Sequence, residues 1–272
     1  MDLWCERRER SKCATIQERL EALGLRINVA KTQAYSGYEL EAAARQIEHS
    51  AADHSLDDLE DPGPLEELLE QIIAKPTESA RTTIKFVISR IIRHEFYKNV
   101  QRIVDVTPRM PHAADAVADL IRISGHWRKL GAWYVEYAES TWGRMKWSVY
   151  QMAHSFPAEE TATKKVRDFL ARKLEEQSLP SFMLPLVAHR LSQWMPDDAR
   201  ELFREVAQKT EHPFELRALA YAGLACGVGR SDVRKWLGEF PESDVVLKFL
   251  TARNFRPPKA VSYMWDGTGT TH

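Results

Sequence analysis

One stretch of this sequence carries several cationic side chains and no acidic ones, which makes it a candidate site for binding anions. No aspartate or glutamate lies between Glu78 and Glu95. The same stretch contains four cationic residues and a histidine: Arg81, Lys85, Arg90, Arg93 and His94. Positive side chains can contact phosphate groups without reading bases. Aliphatic residues recur at helical spacing in the same stretch, which predicts one helix over 77–94 with an apolar stripe. An ordinary amphipathic helix with a basic solvent face is the alternative.

A second segment of interest follows an amphipathic helical pattern at residues 16–23. Gly24 is well placed to end that helix, because glycine tolerates a positive φ. Apolar and polar residues then alternate over 25–29, as in a half-buried strand, and a tight connection leads to a second short strand at 33–36. Lys31 lies in that connection. Lys31 belongs either to a functional site or to a surface hairpin in which its side chain is solvated.

The residues of this hairpin read Gly24-Leu25-Arg26-Ile27-Asn28-Val29-Ala30-Lys31-Thr32. This segment resembles the fourth palm motif of prokaryotic reverse transcriptases of the group II intron, retron and abortive-infection types. In that family a leucine-rich helix leads into Gly-Leu-x-(Leu/Ile)-Asn-x-x-Lys-Thr. The resemblance implies that Lys31 lies near the triphosphate of the incoming nucleotide and acts as an auxiliary catalytic residue. A cation there neutralises the leaving pyrophosphate, as in other phosphoryl transfers.

The paired catalytic carboxylates of that family are missing from the sequence. An aromatic-x-Asp-Asp motif precedes the fourth palm motif in these enzymes, but Asp2 is the only aspartate before Gly24. Polymerases hold Mg²⁺ with such carboxylates. The resemblance therefore implies a Mg²⁺ cofactor for the complete enzyme and none in this chain. We expect the C-terminal part of such an enzyme, which does not polymerise DNA alone.

The resemblance also gives a role to the basic stretch. A helical thumb follows the palm in these enzymes and contacts the backbone of primer and template with basic side chains. The resemblance thus implies that the phosphates of an RNA–DNA primer-template are bound by Arg81, Lys85, Arg90 and Arg93. Members of the phage-defence type carry a HEAT-like helical domain directly after the thumb.

Helical patterns alternate with short turns from about residue 96 onward, and no strand pattern is convincing there. The spacing predicts helices near 96–105, 110–123, 126–138, 142–155, 159–175, 180–194, 196–208, 213–225, 230–239 and 243–253. Three stretches, 142–174, 179–207 and 213–240, are loosely similar helix pairs, which stack because neither helix buries its apolar face alone. The prediction is a mainly α-helical chain with a short palm hairpin and a HEAT-like α-solenoid. An irregular helical bundle is the alternative.

Breaks in the sequence divide the chain into four parts. Pro62-Gly63-Pro64 is the clearest break, and it follows an acidic stretch. We expect a palm remnant at 1–37, a thumb-like helical region at 38–106 with an acidic linker at 50–64, helical repeats at 107–255 and a tail at 256–272.

Composition restricts the class of protein. The 272 residues carry a net charge of -1, so the chain as a whole does not show the basicity of many nucleic-acid-binding proteins. No apolar run approaches the roughly 20 residues of a membrane span. The charged N-terminus does not resemble a signal peptide. Three cysteines, Cys5, Cys13 and Cys226, are too scattered for a disulfide framework or a zinc site. We expect a cytoplasmic protein.

Two further groups of residues have side chains that could form sites. His49, His54 and the pair Asp57-Asp58 could hold a metal, but their polar, acidic surroundings favour a solvated loop. Most tryptophans lie beside aliphatic residues and are expected in the core. In the alternative, Trp127, Trp133 and Tyr134 line a groove in which the bases of a single strand stack.

The sequence thus supports two functions. The first is the thumb and repeat portion of a reverse transcriptase in antiviral defence, with a possible homo-oligomer or protein partner through the repeats. The second is a non-enzymatic helical-repeat scaffold that binds a protein partner.

Overall fold

The computed structural model describes residues 62–237, 244–252 and 254–257, together with Arg19, Leu20, Ala22 and Leu23. The chain divides into two compact units, residues 1–54 and 55–272. In the first unit, Arg19, Leu20 and Ala22 are helical, and the backbone N–H of Leu23 donates to the carbonyl oxygen of Leu20 at 3.0 Å. The predicted palm hairpin at 24–36, including Lys31, lies outside the described residues, as do His49, His54, Asp57 and Asp58.

The described part of the second unit is built from α-helices and contains no strand. Its helices are α1 (Gly63–Ala74), α2 (Arg81–Arg93), α3 (Val100–Val106), α4 (Ala114–Ile123), α5 (Gly131–Glu139), α6 (Lys146–Ala153), α7 (Lys164–Glu175), α8 (Leu184–Trp194), α9 (Pro196–Lys209), α10 (Pro213–Ala225), α11 (Arg230–Trp236) and α12 (Val245–Leu250). The prediction of a mainly α-helical chain is confirmed for these residues. Among them, no helix has both the length and the apolar composition needed to cross a membrane.

Short 3₁₀ turns replace the starts of several predicted helices, at Tyr97–Asn99, Pro111–Ala113, His126–Arg128 and Thr141–Arg144. A further 3₁₀ turn, Thr107–Arg109, directly follows α3. The helix predicted from Thr77 begins only at Arg81, because the preceding residues form a turn in which the N–H groups of Glu78 and Ser79 both donate to the Lys75 carbonyl. Ala80 is then extended, with φ -65° and ψ 139°.

Apolar side chains at helical spacing form the core. In α1 the buried residues are Leu65, Leu68, Leu69 and Ile72, and in α2 they are Ile84, Val87, Ile88 and Ile91. The apolar stripe predicted for the basic stretch is therefore confirmed. Prolines open several helices, as at Pro196 in α9 and Pro213 in α10, where the missing N–H costs nothing.

Helices pack against neighbours two positions along the chain as well as against adjacent ones. Among the even-numbered helices, α2 packs against α4, α4 against α6, α8 against α10, and α10 against α12. Among the odd-numbered helices, α1 packs against α3, α5 against α7, α7 against α9, and α9 against α11.

Polar contacts recur between residues that are 32 to 34 positions apart. They join Glu70 to Arg102, Arg81 to Asp115, Arg128 to Glu160, Glu139 to Arg172, Gln177 to Thr210 and Ser181 to Glu215. This separation is about the length of one pair of helices together with their turns.

Candidate ligand-binding cleft

Two of the four predicted phosphate-binding residues meet on one carboxylate. Arg81 and Lys85 lie one turn apart at the start of α2, facing Asp115 in the first turn of α4. Arg81 Nη2 donates to Asp115 Oδ2 at 2.7 Å, and Lys85 Nζ lies 2.8 Å from the same oxygen. Asp115 therefore neutralises part of the charge on which the sequence prediction depends.

The pKa of Asp115 reflects this arrangement. Partial burial of the carboxyl group acts to raise its pKa, but hydrogen bonds from Lys85 and Arg81 outweigh burial and lower the pKa below its usual value of 3.8. The group is a carboxylate at neutral pH and carries the negative charge closest to both cations.

The other two predicted residues, Arg90 and Arg93, lie in the last turn of α2, where a cation interacts favourably with the helix dipole. At 100° per residue they are centred roughly 130° around the helix from Arg81 and Lys85. The Arg90 guanidinium carbon lies 5.2 Å from the centre of the Phe86 ring. The four predicted phosphate-binding residues therefore form two pairs, which lie on different sides and at opposite ends of α2.

A cleft of about 670 Å³ opens beside the Arg81–Asp115 pair. Its walls come from α2, α4, α6 and the segment before α8: Arg81, Asp115, Lys146, Trp147, Tyr150, Gln151, His154 and Phe182. We call it the aromatic cleft.

Helix α6 supplies most of the aromatic cleft through one face. Trp147, Tyr150, Gln151 and His154 follow one another at the spacing i, i+3, i+4 and i+7, which places them on one side of a helix. Its opposite side is buried in the core through Ser148, Val149 and Met152. The Tyr137 hydroxyl of α5 lies 2.6 Å from Ser148 Oγ and joins that buried side to the preceding helix.

The rings in the aromatic cleft contact one another through Tyr150. Its ring centre lies 4.7 Å from that of His154 and 5.4 Å from that of Phe182, both in edge-to-face geometry. Trp147 lies 6.0 Å away and is tilted by 41°. Trp147 nevertheless leaves 53% of its surface exposed, and Phe182 leaves 46% exposed.

Hydrogen bonds from two side chains of α8 hold the segment that follows α6. Arg190 Nε of α8 donates to the carbonyl oxygen of Phe156 at 2.8 Å, and Trp194 Nε1 donates to that of Pro157 at 2.9 Å. Arg190 and Trp194 are both buried. These bonds tie the end of α6 to α8, so they position the two elements that carry Tyr150 and Phe182.

Burial contradicts the aromatic groove that was the alternative in the sequence analysis. Two of its residues, Trp127 and Tyr134, are buried, and the core position expected for Trp127 is confirmed. Arg128 stacks on Trp127 at 4.8 Å and bonds to Glu160. Trp147 was expected in the core and is exposed instead. The available signal was the aromatic spacing of Trp147, Tyr150 and His154 opposite the aliphatic residues of α6.

Comparisons with family models, with curated proteins and with solved structures find no match to this chain. Within the part of the chain that the structure describes, no three His, Cys, Asp or Glu side chains are grouped to hold a metal ion. The role of Lys31 and the Mg²⁺ of the complete enzyme stay predictions.

Proposed function

We propose that this chain is the thumb and helical-repeat portion of a reverse transcriptase of the phage-defence type, and that its helices bind nucleic acid. The palm-like segment at 24–32 supports the family, and the run of helices after it agrees with the order expected for that type. Catalysis would depend on carboxylates from outside this sequence, with Lys31 assisting.

The helices fit a HEAT-like array that begins earlier than the sequence indicated. Contacts at a separation of 32 to 34 residues extend from Glu70 and Arg102 through Ser181 and Glu215. A stack of helix pairs gives such a pattern, because each pair contacts the next in the same way. We therefore include α1 to α3 in the array, so that the basic helix α2 is one of its members.

The observation that best supports nucleic-acid binding is the meeting of cations and exposed aromatic rings in one place. Arg81 and Lys146 line the same cleft as Trp147 and Tyr150. Cations attract phosphates, and aromatic faces stack on bases.

Binding of an RNA–DNA hybrid tests the proposal. We expect salt-sensitive binding that is weakened several-fold by Arg90→Ala with Arg93→Ala, with the slope of log affinity against log salt reduced by about one per lost phosphate contact. Lys164→Ala with Lys165→Ala removes the same charge from exposed positions of α7 and is the matched control. Absence of binding to any nucleic acid at low salt would exclude the proposal.

A protein-binding scaffold is the second candidate, and exposed apolar side chains favour it. Three large apolar side chains are exposed: Phe214 at the start of α10, and Val246 and Phe249 of α12. Asp115 also neutralises Arg81 and Lys85 in part. Failure of all nucleic-acid binding, with the fold intact by circular dichroism, would favour this candidate.

A further inference from the structure

We infer that the aromatic cleft binds a segment of single-stranded nucleic acid, with an unpaired base against Trp147 and Tyr150 and its phosphates beside Lys146 and Arg81. The inference rests on the proposed function of nucleic-acid binding and names the form of nucleic acid that this cleft takes.

Trp147 is exposed on the side of α6 that lines the cleft. Large aromatic side chains gain most from burial, yet 53% of this one faces solvent while its neighbour Ser148 is fully buried. Helix α6 therefore carries aromatic side chains on a side that does not face the core. Exposed apolar surface rimmed by polar residues commonly marks a binding site.

Three aromatic rings shape the cleft. Trp147, Tyr150 and Phe182 present flat rings around a space of about 670 Å³. This volume lies within the range of about 300–1,000 Å³ of pockets that hold small organic groups. The contact at 5.4 Å between Tyr150 and Phe182 is edge-to-face, so the two rings do not cover each other as a stacked pair would.

Positive charge predominates among the described residues of the cleft. Arg81 and Lys146 line it, and Lys85 lies 2.8 Å from Asp115, the one acid among the described lining residues. Among the described residues, no acidic side chain forms an ion pair with Lys146. This excess of described cations over carboxylates favours an anionic ligand and disfavours the ammonium groups that aromatic sites otherwise attract.

These features favour a single strand over a duplex or hybrid. Bases in a helix are covered on both faces by their neighbours, so only unpaired bases can stack on protein side chains. Such stacking tolerates any base, because every base has an aromatic face. The cleft therefore predicts binding with little sequence preference.

Fluorescence anisotropy with the full chain and a labelled twelve-residue oligothymidylate tests the inference. We expect Trp147→Ala to weaken binding about ten-fold, which corresponds to the loss of one stacked base. Trp142→Ala is the matched control, because Trp142 is also exposed but lies outside the cleft. Lys146→Gln should weaken binding and reduce its dependence on salt.

Parallel titration with an RNA–DNA hybrid separates the inference from the proposed function. If both hold, Trp147→Ala weakens binding of the oligothymidylate alone, whereas Arg90→Ala with Arg93→Ala weakens binding of the hybrid. Hybrid binding without binding of the single strand overturns the inference and leaves the proposed function standing. Single-strand binding that depends on Trp147, without hybrid binding, supports the inference and removes the thumb role.

Two other results overturn the inference. The first is an equal effect of Trp147→Ala and Trp142→Ala on the oligothymidylate. The second is thymidine monophosphate competing as tightly as the oligonucleotide, which would assign the cleft to a free nucleotide.

Discussion

Arg81 and Asp115 are 34 residues apart and are joined by a 2.7 Å hydrogen bond between the first turns of α2 and α4. His112 and Ser79 join the same two regions at a separation of 33, with the imidazole Nε2 at 3.0 Å from the Ser79 carbonyl oxygen. Because Arg81 and Asp115 also line the aromatic cleft, one ion pair both connects neighbouring helix pairs and determines the charge available to a ligand.

Removing the Asp115 charge should strengthen nucleic-acid binding. Asp115→Asn leaves Arg81 and Lys85 without their shared carboxylate, so we expect several-fold tighter binding of the oligothymidylate and a steeper dependence on salt. Stability should fall by about 1 kcal/mol, since the pair is partly solvated. Anisotropy and urea unfolding measure the two effects.

The matched control is Asp168→Asn, which makes the same charge change at an exposed position of α7. Equal effects of the two variants on binding would show that net charge, and not the cleft, governs affinity.

The contribution of Asp115 to stability should depend on pH in one direction. Its pKa in the folded state is below 3.8 because Lys85 and Arg81 stabilise the carboxylate against the opposing effect of burial. The contribution is complete above the unfolded-state value and is lost as pH falls through the lower folded-state value. The stability difference between the wild type and Asp115→Asn, from urea unfolding, should stay constant above about pH 5 and shrink below pH 3.8. A difference that grows on acidification would contradict this pKa shift.

Gly143 should tolerate no side chain. A Cβ at this position would lie 1.9 Å from the carbonyl oxygen of Ala138, which is backbone and cannot rotate away. We expect Gly143→Ala to lower the free energy of unfolding by about 2–3 kcal/mol in thermal or urea unfolding. Gly229→Ala is the control, because its Cβ would meet only side-chain oxygens, Asp232 Oδ2 at 3.3 Å and Ser231 Oγ at 3.8 Å. Equal stability of the two variants would contradict the close approach at Gly143.

Cys226 should be chemically inert in the folded protein. Burial raises the pKa of its thiol to about 12, and the sulfur lies 3.9 Å from the Ser192 carbonyl oxygen. Only the thiolate reacts with iodoacetamide, so a Cys5→Ser, Cys13→Ser variant should label at pH 8 only in denaturant. Mass spectrometry measures the labelling, and rapid modification without denaturant would show that this region opens.

Local chemistry made the helices predictable. The helix at 213–225 was predicted with the bounds that the structure has, because Pro213 marks its start. The start of another helix was predicted wrongly. The helix predicted from 159 begins at Lys164, because Thr163 has φ -58° and ψ 151°, which lies outside the helical region. Caps and 3₁₀ turns depend on backbone bonds that residue types do not specify.

The sequence by itself determined the helical class, the apolar stripes and the positions of the breaks, since these follow from helical spacing and from proline and glycine chemistry. Tertiary structure alone decided which charges and rings meet. Asp115 is 34 residues from Arg81, so nothing in local spacing revealed that it would neutralise this cation. Trp147 and Tyr134 look alike in sequence, since both are aromatic and lie in predicted helices. The packing of successive helix pairs buries Tyr134 and leaves Trp147 exposed, because each helix can cover only the sides that its neighbours reach.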